Sequence, residues 1–173
     1  MRTLDKISQQ ALTPTGALEI LQQGNSRFVN NLKANRDLLQ QANATVAGQF
    51  PFAIILSCID SRTSVELIFD QGLGDVFSVR VAGNIVNDDI LGSMEFACKL
   101  AGSKLIVVLG HSHCGAIKGA CDDVKLEHLT GLLDKIKPAV ESVRNETDTP
   151  EGDDLVQRVA ESNVQATVEQ VML

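Results

Sequence analysis

Residues 52–62 read FAIILSCIDSR and residues 105–115 read LIVVLGHSHCG. In each, a continuous apolar run (Phe52 to Leu56; Lys104 to Leu109 with its flanking lysine) gives way to a polar loop containing cysteine. Short apolar runs without polar alternation are strands covered on both faces. Val76 to Val81 reads as a further strand between them. Helical patterns fill the intervals, so the chain is expected to be α/β, with a parallel sheet of about four strands flanked by helices.

Working outward, residues 15–32 carry a loose helical pattern interrupted by Gly24, and residues 33–48, rich in Asn, Gln and Ala, read as a polar helix or extended arm. Ser64 to Phe69 is a short helix candidate, ended by the turn Gln71-Gly72-Leu73-Gly74. Asp88 and Asp89 cap a helix expected from Ile90 to Ala101 and ended by Gly102. Further helices are expected over 114–120, 125–144 and 153–173. With no repeat and no linker, 173 residues form one domain: a helical arm (1–48), a core (49–121) and C-terminal helices (122–173).

Composition removes several classes of function. The apolar fraction is 44% and no apolar run is long enough to span a bilayer. A net charge of −7 with scattered basic residues, and the absence of Trp and Tyr, disfavour nucleic acid. The N-terminal twenty residues hold no apolar segment of signal-peptide length, so the expected location is cytoplasmic and the four cysteines are expected as thiols.

The two loops following the first and third strands carry the chemistry. Ligands of parallel α/β sheets bind beyond the carboxyl ends of the strands, so neighbouring strands bring such loops together. Cys58, His111 and Cys114 then supply a Cys₂His set, three protein ligands for a zinc ion with the fourth position open. Asp60 lies two residues from Cys58, and Arg62 two residues further, near enough to pair with it. A carboxylate held by an arginine stays ionised and acts as an acceptor.

The Cys-x-Asp-Ser-Arg loop joined to the Gly-His-x-x-Cys-Gly loop resembles the signature of the β-class carbonic anhydrases, and the stretch VRVAGN (79–84) is similar to that family too. The resemblance is close over about residues 49–120. It implies the fold, Zn²⁺, reversible hydration of carbon dioxide to bicarbonate, and a homodimer or dimer of dimers, including forms with exchanged arms. It further implies a substrate pocket in which Gln49 binds bicarbonate, Phe77, Ala82 and Phe96 form an apolar wall (Phe96 from a partner subunit), and Gly115 presents backbone N–H groups.

In that family Asp60 has two roles. Paired with Arg62 it orients the attacking oxygen; released, it becomes a fourth zinc ligand and closes the site. The subclass closed by bicarbonate carries Trp three residues before the first Cys and Gly just before it. Here these are Ile55 and Ser57, and there is no Tyr. The expectation is an open site without bicarbonate gating. Compared with the family, the C-terminal edge strand is expected to be missing.

Other candidates read more plainly. Cys98 and Cys121 are packing residues, His113 is a loop residue and His128 has no metal-like partner. Gly72-x-Gly74 is a turn rather than a dinucleotide fingerprint. Two alternatives stand beside hydration of carbon dioxide: hydrolysis of a related heterocumulene such as carbon disulfide, and a non-catalytic zinc-binding or regulatory role, against which the retention of Asp60 and Arg62 argues.

Overall fold

The computed structural model describes residues 3–148 and 150–172. Its sheet has the order β2-β1-β3, with β1 at Ala53–Ser57, β2 at Val76–Arg80 and β3 at Leu105–Leu109. The pairing is parallel. Ahead of the strands the Phe52 N–H donates to the Asp75 carbonyl and the Lys104 N–H to the Phe52 carbonyl; beyond them the Val81 N–H donates to the Ser57 carbonyl. The strands fall where the apolar runs placed them, and among the described residues there are three rather than about four. Central β1 is buried throughout, whereas the edge strands β2 and β3 are only partly covered.

The chain divides into two compact units. The first comprises residues 1–56, 64–79 and 88–107. It contains α1 (Lys6–Ala11), α2 (Pro14–Val29), α3 (Leu38–Ala44), α4 (Val65–Ile68) and α5 (Asp88–Glu95). Thr13 caps α2 by accepting from the Gly16 N–H at 3.0 Å, and Pro14 takes the first turn, where its missing N–H costs nothing. The interruption expected at Gly24 does not occur: α2 runs through it. A Cβ there would overlap the Phe69 carbonyl at the end of α4, so the glycine serves a close approach between elements rather than a break.

The stretch 33–48 resolves into an extended segment followed by α3, capped by Asp37. Buried Asp70 ties that segment down. It accepts from Arg27 Nε, from the Ala34 N–H at 2.9 Å and from Arg36 Nη1 at 2.7 Å. The helix expected over 90–101 begins two residues earlier and widens into a π-helical turn at Phe96–Leu100 before Gly102 (φ +83°).

The second unit comprises residues 57–63, 80–87 and 108–173. It holds a 3₁₀ turn at Ala82–Asn84, α6 (Gly115–Cys121), α7 (Glu127–Leu133), α8 (Lys137–Arg144) and α9 (Gly152–Met172). The single helix expected over 125–144 is two. Pro138 has no N–H to donate, and its ring would strike the carbonyl of Asp134, so the chain breaks at that residue and restarts at Lys137. Ile117, Leu133, Ile136, Val140 and Val159 build a core into which the side chains of Cys58 and Cys114 also project.

Candidate metal centre

Because β1 and β3 are adjacent and parallel, the loops that follow them emerge at the same sheet edge. Within the second unit this brings together Cys58, His111 and Cys114, whose ligand atoms all lie within 4.8 Å of one another. The two sulfurs are 3.9 Å apart. Two thiolates on one tetrahedral zinc, each at ~2.3 Å, stand about 3.8 Å apart, so the pair already has the spacing that the ion requires.

His111 matches this arrangement. Its Nδ1 lies 3.0 Å from the Ser112 carbonyl, which fixes a proton on that nitrogen. Its Nε2 is buried with no hydrogen-bond partner. A buried polar atom without a partner is costly, and a metal ion is the partner the two neighbouring sulfurs point to. Burial pushes the Cys114 thiol up, a shift partly offset by the backbone amides of Ile117 and Ala116 at the start of α6. On the other ligand, the Gly83 N–H donates to Cys58 Sγ at 3.3 Å. The Cys58 sulfur thus already has a backbone donor.

Beside the cluster, Asp60 is fully engaged by Arg62. The Arg62 backbone N–H and Nε both donate to Oδ1 at 2.9 Å, and Nη2 donates to Oδ2 at 2.9 Å. The Arg62 hydrogen bonds hold the Asp60 carboxyl well below the usual carboxylate range. Arg62 Nη2 also reaches the His113 carbonyl at 3.5 Å, which links the two loops. In this arrangement Asp60 lies with Arg62 and outside the three-residue cluster.

Three residues missed by the sequence reading shape the first loop. Arg80 Nε donates to the Cys58 carbonyl at 3.0 Å and Nη2 to the Asp60 carbonyl at 2.6 Å. The Thr63 hydroxyl lies 3.0 Å and 2.9 Å from the same two carbonyls. Gly83 is the third. Arg80 and Gly83 lie in the VRVAGN stretch, the one signal that pointed toward them; nothing local marked Thr63.

Of the residues expected to line a substrate pocket, Ala82 opens the 3₁₀ turn and Gly115 begins α6, both in the second unit. Gln49, Phe77 and Phe96 belong to the first unit. There Gln49 is exposed, and Phe77 meets Phe96 edge to face with ring centroids 6.3 Å apart. His113 is exposed in a left-handed conformation (φ +52°).

Comparison with known proteins agrees with this geometry. A family model described as carbonic anhydrase matches residues 53–173. Carbonic anhydrase 2 of Mycobacterium tuberculosis is 39% identical over 133 residues, covering 73% of this chain and 64% of that protein. The chain therefore spans just under two thirds of the length of this curated relative. Among solved structures, the β-carbonic anhydrase CcaA is similar at 29% identity with a TM-score of 0.71, over 90% of this chain and 71% of that one. A tetrameric β-carbonic anhydrase from Sordaria macrospora is similar at 30% identity with a TM-score of 0.67, over 76% and 69% respectively.

Proposed function

The chain belongs to the β-class carbonic anhydrase family, and on that premise we propose that it catalyses the reversible hydration of carbon dioxide to bicarbonate and a proton. The observation that carries the reading is the convergence of Cys58, His111 and Cys114 within 4.8 Å, with the unpartnered His111 Nε2 among them. In this reading the three side chains hold Zn²⁺. When bound, zinc supplies a Lewis acid that brings the ionisation of water close to neutrality.

The protein's own residues do the rest. Carbon dioxide is uncharged and needs no anchoring ion, so the polar groups of the site serve the nucleophile. Asp60, kept ionised by Arg62, is an acceptor for the proton-bearing oxygen and orients it. To bind the metal instead, Asp60 would have to give up its hydrogen bonds to Arg62. The site is therefore read as open at neutral pH. Arg80 and Thr63 hold the carbonyls of Cys58 and Asp60, fixing both side chains on one turn. Within the second unit, Ala82 and Gly115 are proposed to line the substrate pocket.

We read the protein as a dimer or a dimer of dimers. The partly covered edge strands and the exposed Phe28, Val29, Leu38 and Leu39 on α2 and α3 support that reading, as does the tetrameric relative. No helix among the described residues is long and apolar enough to cross a membrane, and no cysteine is in a disulfide; a cytoplasmic location agrees with both.

Stopped-flow hydration of carbon dioxide, with zinc measured on the same sample, tests the proposal. About one zinc per chain and a rate well above the uncatalysed reaction are expected. Asp60→Asn is expected to keep the zinc and lose about 10- to 100-fold in rate. A metal-free preparation that takes up no zinc, or zinc-loaded protein no faster than buffer, would overturn the reading.

A further inference from the structure

In the second unit a hydrogen-bonded chain begins on α9 and ends on one of the sulfurs. Asn163, 3% exposed, donates from Nδ2 to the Gly83 carbonyl at 2.8 Å. The N–H of Gly83 points to Cys58 Sγ at 3.3 Å. One helical turn beyond Asn163, the Thr167 hydroxyl donates to the Asn84 carbonyl at 3.4 Å. Beside Gly83 (φ +69°) in the clamped turn, Asn84 (φ +44°) is a non-glycine residue held in the left-handed region. A non-glycine residue there carries a cost that its surroundings must offset.

The Gly83 carbonyl and the Gly83 N–H belong to the two peptide groups flanking one Cα, so holding the first restricts where the second points. Glycine has the widest backbone freedom of any residue, which makes an external clamp consequential here. Bulk is not an alternative clamp, because a Cβ on Gly83 would stand 2.7 Å from Ile136 Cδ1. Asn163 follows apolar positions: Val159 and Ala160, a turn before it on α9, are part of the apolar core. A leucine would bury there without the desolvation penalty of an amide.

We propose that Asn163 is a positioning residue of the metal centre: by fixing the Gly83 carbonyl it aims the Gly83 N–H at the Cys58 sulfur and so sets how strongly that sulfur donates to the ion. The inference rests on Cys58 being a ligand. An N–H donor fixes the orientation of a ligating sulfur, and partners outside the ligand set are worth about 10- to 100-fold in metal affinity.

The test is proton–cadmium correlation NMR on the chain loaded with ¹¹³Cd²⁺. Correlations from the β-protons of Cys58 and Cys114 report ligation, and one from the Gly83 amide proton reports the hydrogen bond to a bound sulfur. All three are expected. In Asn163→Leu the Gly83 correlation should vanish while the cysteine correlations remain, and zinc affinity by chelator competition should fall about 10- to 100-fold. Asn163→Ala adds no bulk and reads the same signals if the leucine variant does not fold. Thr167→Val, which releases the neighbouring peptide only, should leave zinc affinity within about threefold, well below that range. Cysteine correlations without a Gly83 correlation, or variants with unchanged correlation and affinity, would overturn the inference alone. Absence of the cysteine correlations would overturn the metal-centre reading and the inference with it.

Discussion

Asp60 is held by three donors that all belong to Arg62, so its orientation depends on one neighbour two residues away. Arg62→Ala removes two of them and leaves the backbone N–H. Stopped-flow assays should then show hydration slowed about 10- to 100-fold with zinc content unchanged, because the ligands are untouched and only their neighbour is disordered. Arg62→Lys should recover only part of the rate, since an ammonium cannot reproduce the two-pronged fit of a guanidinium. This couple was legible in the sequence because its members are local. Arg80, Thr63 and Asn163 were not: they bind backbone carbonyls, and any donor that the fold carries to those places could do so.

Among the elements, α2 shows how a residue with poor helix propensity can strengthen packing. In an isolated helix Gly24→Ala would gain about 1 kcal/mol. Here the added methyl would overlap the Phe69 carbonyl, a backbone atom that cannot swing aside. Net destabilisation of about 1–3 kcal/mol is expected, measured as a lower urea midpoint with unchanged slope. The sequence marked Gly24 as an interruption because local propensity favours that reading; the opposing carbonyl that reverses it lies 45 residues away in the chain. The break between α7 and α8 is the opposite case. Pro138 announces it locally, and the apolar pattern over 125–144 masked it by continuing across the break.

For the whole molecule, acid stability and metal content give separate predictions. Burial raises the Asp70 carboxyl, but the hydrogen bonds from Arg27, Ala34 and Arg36 outweigh it and hold the group below its ordinary value. A carboxyl depressed in the folded state contributes stability that is complete above about pH 4, the unfolded value, and is lost as pH falls through the folded one. Asp70→Ala should therefore cost about 3 kcal/mol at neutral pH, because Arg27, the Ala34 N–H and Arg36 lose their shared acceptor, and should flatten the loss of stability on acidification. Asp75 has the opposite sign: burial raises its carboxyl, so its contribution declines as pH rises through the folded value. Removing zinc with a chelator should lower the melting temperature, since an ion at 100 times its Kd is worth about 2.7 kcal/mol. Hydrogen exchange should place the loss in residues 57–63, 80–87 and 108–148, where the ligands and their supports reside, with residues 14–29 little changed. Uniform acceleration across both units would contradict that assignment. The sequence by itself determined the strands, the two loops and the candidate ligands, because continuous apolar runs and ligand chemistry are properties of neighbouring residues. Only the tertiary structure decided that β1 lies between β2 and β3, that Gly24 permits a close approach, and that α9 reaches the turn behind Cys58, because each depends on groups that the chain separates and packing reunites.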